Sequence, residues 1–384
     1  MKEKLLRFGS YVLVAVLATV ATLTMVHLEI GLKPSKLNRL ERLIEERFIG
    51  EKDLEALEDA AANAMVKATG DRWSYYIPAS EYEAYREQSE NAYVGVGMTI
   101  QAAEDESGYL IVEVVPGGPA EEAGIQVKDL LIAVEDTDVR TLAIADVRDL
   151  VKGKEGTRVS LTVLRQGTHE TVSVQRKKVE TPVATFELLE NDIGLVTIEN
   201  FDERCAEESI AAIEMLLEKG AEKLIFDVRN NPGGYAAELV KLLDYLLPEG
   251  DLFRTVRYDG KEHVDTSDGD YLDVPMAVLV NASSYSAAEF FAAALGEYDA
   301  AIVVGEQTVG KGYFQTTYQL SDGSAVALSI GKYFTPKGIS LAETGVTPDV
   351  VVNVEDSVAA DIYYGLLPPD QDPQIQAAVK VLTK

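Results

Sequence analysis

The chain has 384 residues, 47% of them hydrophobic, and carries 35 lysines and arginines against 64 acidic residues, a formal net charge of -29. That length holds two or three domains with sizeable cores, and the charge argues against nucleic acid as a partner, because phosphate binding needs a basic surface. A single cysteine, Cys205, excludes an internal disulfide and a cysteine-based metal site; it falls in a helical pattern as a small structural residue, and no metal or cofactor is expected.

Lys2, Lys4 and Arg7 precede an uncharged run from Phe8 to Leu28. About twenty residues at roughly 1.5 Å each span a ~30 Å hydrocarbon core. The run exceeds the roughly 7 to 15 residues of a signal-peptide core and no A-x-A site follows it, so residues 1–30 are expected to be an uncleaved membrane anchor. Lys33, Lys36, Arg39 and Arg42 on the far side balance the first three cations, and charge alone does not orient the span. Residues 31–91 read as a helical N-terminal region. From Leu37 to Gly70 the pattern is helical, with one apolar stripe of Leu37, Leu40, Leu43, Ile44 and Phe48 and another of Leu54, Leu57, Ala61 and Met65. These stripes suit either a hairpin packed on the main body or a homodimer contact. A short helix is expected from Ala79 to Gln88.

Residues 92–178 form a β-rich module. Tyr93 to Gln101 reads as a strand interrupted by Gly95 and Gly97, followed by strands Tyr109 to Val115 and Leu130 to Val134. A helix from Ala145 to Val151 and a hairpin around Gln166-Gly167 complete it. Lone glycines in a strand more often mark a bulge, and GVGM lacks the third glycine and following helix of a dinucleotide fingerprint.

Residues 179–355 alternate strand and helix: a strand Ile193 to Ile198, an amphipathic helix Ala206 to Lys219, a strand Lys223 to Val228 and a helix Tyr235 to Leu247. The short apolar run Met276 to Val280, bounded by Pro275 and Asn281, reads as a strand buried on both faces. Ala287 to Leu295 is a helix opened by Ser286 with Glu289 three residues on, and Ala301 to Val304 another buried strand. This predicts a parallel βαβαβαβ sheet with right-handed crossovers. Residues 356–384 are a C-terminal helical segment.

Ser286 and Lys311 each lie five residues past the ends of their strands, at Asn281 and Glu306. Parallel neighbours end on the same edge roughly 4.8 Å apart, so the two side chains are placed to meet where open α/β sheets carry their sites. The turn Asn231-Pro232-Gly233-Gly234 falls on that edge too. Its paired glycines, with the N–H of Ala287 at a helix N-terminus, are the donors an oxyanion hole needs. Each part has a plainer role: Ser286 as an N-cap, Lys311 as a solvated cation, Gln315 as a strand residue. A serine nucleophile needs a base, and histidine does not supply one. His27 lies in the apolar run, His169 in a hairpin turn and His263 in a polar loop, none reaching the sheet edge. Lysine can serve if its pKa falls by about three units from about 10.4, through burial in an apolar pocket.

Two resemblances follow from these motifs. GVGM, GGPAEEAGIQVKDLLIAVEDTDV and KGKEGTRVSLTVLRQG are similar to the PDZ domains of bacterial proteases, which implies capture of a peptide C-terminus through Gly95, Val96, Gly97, Met98 and Lys152. DVRNNPGG, LVNASSYSAAE, VVGEQTVGKGYFQ, LSDGSAVALSIGKYFTPKG and GVTPDVVV resemble the C-terminal processing peptidases, or tail-specific proteases, over nearly the whole chain after the anchor. The resemblance implies a crotonase-like α/β core with an inserted PDZ domain, Ser286 as nucleophile, Lys311 as base and Gln315 as the residue orienting it. Gly233, Gly234 and Ala287 would form the oxyanion hole, the substrates would be proteins with exposed C-termini, and the catalytic part would be extracytoplasmic at the cell membrane. Two departures stand out: Tyr285 where the family has alanine, and Lys152 where it has an arginine, which keeps the charge without the bidentate fork. On the residues alone, an inactive PDZ scaffold that binds protein tails and a crotonase-type acyl-thioester enzyme remain alternatives.

Overall fold

The computed structural model of the chain describes residues 16–20, 22, 35–103 and 107–384. The expected span from Phe8 to Leu28 lies largely outside these; among the described residues no helix is long and apolar enough to cross a membrane. The chain divides into two compact units between Pro78 and Ala79.

In the first unit the stretch expected to be helical throughout is two helices, Lys36–Arg47 and Leu54–Lys67. Each is started by a side chain that accepts an otherwise orphaned N–H, Ser35 from Asn38 and Asp53 from Ala56. Phe48 is already extended, which ends the first helix. The stripe residues Leu37, Leu40, Leu43, Leu54, Leu57 and Met65 are exposed.

The second unit opens with the helix Ala79–Ser89 and then a two-stranded ribbon, Ala92–Gly95 against Lys177–Glu180. That ribbon is the entrance and exit of the β-rich module. Arg204 pins both crossings by donating to the carbonyls of Glu90, Asn91 and Thr181. The strand expected to run from Tyr93 to Gln101 is broken at Gly97, whose φ of +73° turns the chain into a second strand, Met98–Ala102. This strand forms one edge of an antiparallel sheet and is followed in order by Tyr109–Val114, Leu130–Val134, Arg158–Arg165 and Thr168–Gln175. Alternation decides the facing: in Arg158–Arg165, Val159, Leu161 and Val163 are buried while the residues between them are not. They join Ile111, Leu131, Val134, Val147 and Val174 in a core of the module's own.

The rest of the unit is built on a sheet with strand order Ala184–Leu189, Ile193–Ile198, Lys223–Asp227, Met276–Val280, Ala301–Gly305 and Val350–Val351, all parallel except the first. The inner strands are mostly apolar, with the charges of Lys223–Asp227 at its two ends, because both faces are covered. Val196, Phe226, Val278 and Val303 pack against the helices Cys205–Glu218, Ala236–Leu246 and Ala287–Glu297. Alternate residues Leu195, Ile225, Leu279 and Val304 face Ile375 and Ala378 of the C-terminal helix Pro373–Leu382. Beside the sheet, Ala325–Phe334 pairs with Tyr313–Gln319 and with Gly250–Arg257, which pairs in turn with Glu262–Ser267. His263, expected in a polar loop, is therefore a strand residue; the polar loop is only the hairpin's tip.

Candidate active site

The segment between Val280 and Ala287 has to reverse from strand to helix in a few residues. It does so with Ser286 at φ +59° and ψ -125°, a backbone conformation that costs a non-glycine residue about 1–3 kcal/mol. The neighbouring turn holds it there. Ser284 donates its hydroxyl to the Val228 carbonyl at 2.7 Å, Tyr285 N–H donates to Asn231 O at 3.1 Å, and Asn281 Oδ1 accepts from Asn230 N–H at 2.9 Å. The outcome is a sharp elbow that carries Ser286, 6% exposed, at the carboxyl edge of the sheet.

The Asn231-Pro232-Gly233-Gly234 turn lies directly on this elbow. A Cβ at Gly233 would stand 2.6 Å from Ser286 Cβ and 2.8 Å from Ala287 N, so no side chain fits. Gly233 is itself at φ +88°. A Cβ at Gly234 would stand 2.3 Å from the Phe201 carbonyl carbon, where Phe201 and Gly234 form an isolated parallel bridge. Both glycines thus serve close approach, one to the serine and one to the end of a strand. The donor set differs from expectation in one respect: Gly233 N–H points inward to Asn231 Oδ1 at 2.8 Å. Its part is to shape the turn, which leaves the N–H groups of Gly234 and Ala287 as the candidate oxyanion donors.

Lys311 is placed by Glu289. This glutamate is fully buried among the alanines and phenylalanines of the helix's first turns. Its Oε2 accepts from Ser286 N–H at 2.9 Å and Lys311 N–H at 2.8 Å, and its Oε1 from Gly310 N–H at 2.7 Å and the Thr308 hydroxyl at 2.5 Å. One carboxylate therefore ties the backbone of Ser286 to the backbone of Lys311. Sequence reasoning gave Glu289 only a helix cap; the available signal was a lone charge among the alanines and phenylalanines of AAEFFAAAL. On its other side the lysine loop is pressed by the Leu341–Gly345 segment, with Glu343 N–H donating to Gly310 O at 2.9 Å. Lys311 is half-buried, and its Nζ lies over the Tyr285 ring, 5.6 Å from the centroid. Gln315 is fixed within its own hairpin, its Nε2 donating to Ser329 Oγ at 2.9 Å and Tyr313 O at 3.2 Å.

A carboxyl not foreseen from the sequence adjoins the site. Asp202 follows Phe201, the residue that cradles Gly234, and burial followed by the nearby charge of Glu203 pushes its pKa up to about 7. Burial, and then Asp202, raise the Tyr285 hydroxyl above its ordinary range. The described histidines stand elsewhere: His169 is exposed on the module's Thr168–Gln175 strand, and His263 is exposed with its Nε2 3.1 Å from Asp265.

The residues expected to bind a peptide tail are gathered in the module. Val96 is buried and its carbonyl accepts from Ala120 N–H at 2.8 Å; that of Gly97 accepts from Val115 N–H at 3.0 Å. Gly95 ends the ribbon, and Met98 begins the edge strand. Lys152 is exposed at the C-terminal end of the helix Ile144–Val151. The last turn of that helix is held by the buried Arg176, which donates to Val151 O at 2.7 Å and Leu150 O at 3.3 Å.

Comparison with known proteins matches residues 192–352 to the model of Peptidase family S41 and residues 110–165 to that of a PDZ domain. The "Carboxy-terminal processing protease CtpA" of Bacillus subtilis (strain 168) is 32% identical over 327 residues, covering 84% of this chain and 70% of that protein. The "Probable CtpA-like serine protease" of Staphylococcus aureus (strain COL) is 30% identical over 355 residues, 90% of this chain and 71% of the other. A crystal structure from Bacteroides fragilis NCTC 9343 assigned to the S41 proteases is alike in fold, with a TM-score of 0.52 at 18% identity over 84% of this chain and 90% of that one. The chain, a serine-type hydrolase carrying a PDZ domain, belongs to peptidase family S41 among the carboxy-terminal processing proteases.

Proposed function

We propose that this chain is an endopeptidase that cuts protein substrates near their C-termini, with Ser286 as nucleophile and Lys311 as general base. The observation that carries the reading is the packing of Gly233 onto Ser286 and Ala287 N, on an elbow whose backbone Glu289 ties to that of Lys311. Neutral Lys311 Nζ takes the hydroxyl proton as Ser286 Oγ attacks the peptide carbonyl, and the N–H groups of Gly234 and Ala287 receive the oxyanion. Collapse releases the amine, which takes the proton back from Lys311. A water, deprotonated by Lys311, then hydrolyses the acyl-enzyme, and Gln315 orients the lysine. The core is crotonase-like in this reading.

Substrate tails add a strand to the open edge at Met98–Ala102, with the terminal carboxylate at Gly95 to Met98 and Lys152 beside it. Residues 8–28 anchor the chain in the cell membrane, the catalytic part is extracytoplasmic, and the exposed stripes of Lys36–Arg47 and Leu54–Lys67 pair two copies. The test is incubation of the full chain, in detergent, with an unfolded protein of known C-terminal sequence. Mass spectrometry should find new C-termini close to the original one, and none with the Ser286→Ala variant. Products that persist in that variant, or cuts scattered along the substrate, would refute the assignment.

Glu289 offers a separate check. Glu289→Gln turns a donor toward backbone N–H groups that need an acceptor, so it should destabilise the fold by about 2–3 kcal/mol in urea melts. It should also lower kcat by well over tenfold with little change in KM, because the elbow and the lysine loop lose their common tie. Unchanged kcat would show that the tie has no bearing on turnover.

A further inference from the structure

Tyr285 occupies the residue before the nucleophile, and its ring faces Lys311 Nζ, which lies 5.6 Å from the centroid. An aromatic face attracts an ammonium and gives a neutral amine no comparable stabilisation. A lysine base works only when neutral, so this neighbour opposes the state that the chemistry needs. Resting on the reading of Lys311 as the base, we propose that Tyr285 is a positioning residue that holds the Lys311 ammonium in the cleft and sets the pH above which the enzyme turns over.

The ring is suited to this role. Tyr285 is half-buried, and its raised hydroxyl pKa keeps the ring an uncharged phenol through the neutral range. The backbone on both sides of the pair is fixed, Tyr285 N–H to Asn231 O and Lys311 N–H to Glu289 Oε2, so their approach is set by the elbow and the lysine loop. Charged and titratable groups also lie on the elements packed against the elbow and the lysine loop. Glu289, on the helix, is occupied by its four donors. Glu343 lies on the segment against Gly310, and Tyr313 and Lys332 lie on the hairpin, where Lys332 Nζ is 5.6 Å from the Tyr313 ring. Asp202 acts on Tyr285 from the direction of Phe201. With its pKa pushed up to about 7, Asp202 adds a titration of its own to the profile, so its effect has to be separated from that of the ring.

The experiment is the pH profile of kcat/KM for a peptide substrate, whose acid limb reports the free enzyme's base. It is measured for the full chain, for Tyr285→Phe, and for Tyr285→Leu and Tyr285→Met, which keep apolar bulk but remove the aromatic face. The limb should move about one pH unit lower in the Leu and Met variants, close to a tenfold gain below the limb, and stay in place in the Phe variant. The same shift should appear in an Asp202→Asn background. A limb unmoved in both aliphatic variants, one moved equally by Phe, or a shift that vanishes with Asp202→Asn overturns the proposal. Failure of the underlying reading looks different: Lys311→Ala would then keep activity with the same acid limb.

Discussion

Alanine at Ser286 and alanine at Lys311 should each lower kcat by about ten-thousand-fold or more, and the double variant should fall no further than the worse single one. In the proposed mechanism nucleophile and base act on one proton, so once either is gone the other has nothing to do. What remains is the acceleration from positioning and the oxyanion donors, roughly 10³ over water. Losses that multiplied in the double variant would mean that the two residues contribute independently and do not form a dyad. The elbow supplies a control on folding. Ser286 sits at φ +59°, where glycine is unstrained and alanine is not. Ser286→Gly should therefore be more stable than Ser286→Ala by about 1 kcal/mol in urea, with both inactive. Equal stabilities would place the strain elsewhere than at the serine.

What could be seen in the sequence follows the strength of each local signal. Met276–Val280 has the bounds expected from its apolar run, because Pro275 and Asn281 terminate it chemically. The Ala287–Glu297 helix was legible from the helix formers that follow Ser286 with Glu289 at capping-box spacing, and the neighbouring strands from short apolar runs that leave no polar alternation to misread. The hairpin Gly250–Arg257 with Glu262–Ser267 was missed, since its half-exposed strands mix arginine, aspartate and threonine among few apolar residues. At the site, short-range chemistry was readable and long-range chemistry was not. Glycines beside a serine-led helix mark an edge, but that Gly233 would give its N–H to Asn231 depends on a side chain turned inward. Glu289 looked like a cap because its first partner, Ser286, is three residues away. Its others, from Thr308 to Lys311, become neighbours only when two parallel strands pair. Asp202 carries no sequence mark at all, as its raised pKa arises from burial.

The C-terminal segment is where this long-range chemistry should weigh most on stability. Arg229, two residues before the Asn-Pro-Gly-Gly turn, is 4% exposed and holds Asp227 bidentately through Nε and Nη2. Its Nη1 donates to Asp372 Oδ2 at 2.8 Å and Gln374 Oε1 at 2.9 Å. Burial alone would disfavour the guanidinium charge, but the carboxylates of Asp227 and Asp372 outweigh it and hold the group above its ordinary range. Asp372 does double duty, since its Oδ1 caps the last helix by accepting from the N–H groups of Gln374 and Ile375. Asp372→Ala should therefore cost about 3–5 kcal/mol, the loss expected when one partner of a buried ion pair is removed. Asp372→Asn, which keeps the cap oxygen, should cost less. The helix closes the sheet face formed by Leu195, Ile225 and Leu279, so its release should expose that face and loosen the turn that Arg229 leads into. Loss of peptidase activity should then follow the urea midpoint, recovering where the fold is restored. Replacing Arg229 by methionine together with Asp372→Ala removes both ends of one pair, so the double variant should lose less than the sum of the single ones. A loss below 1 kcal/mol for Asp372→Ala, or additive losses in the double variant, would mean that Asp227 alone satisfies the arginine and that the C-terminal helix is held by its apolar face.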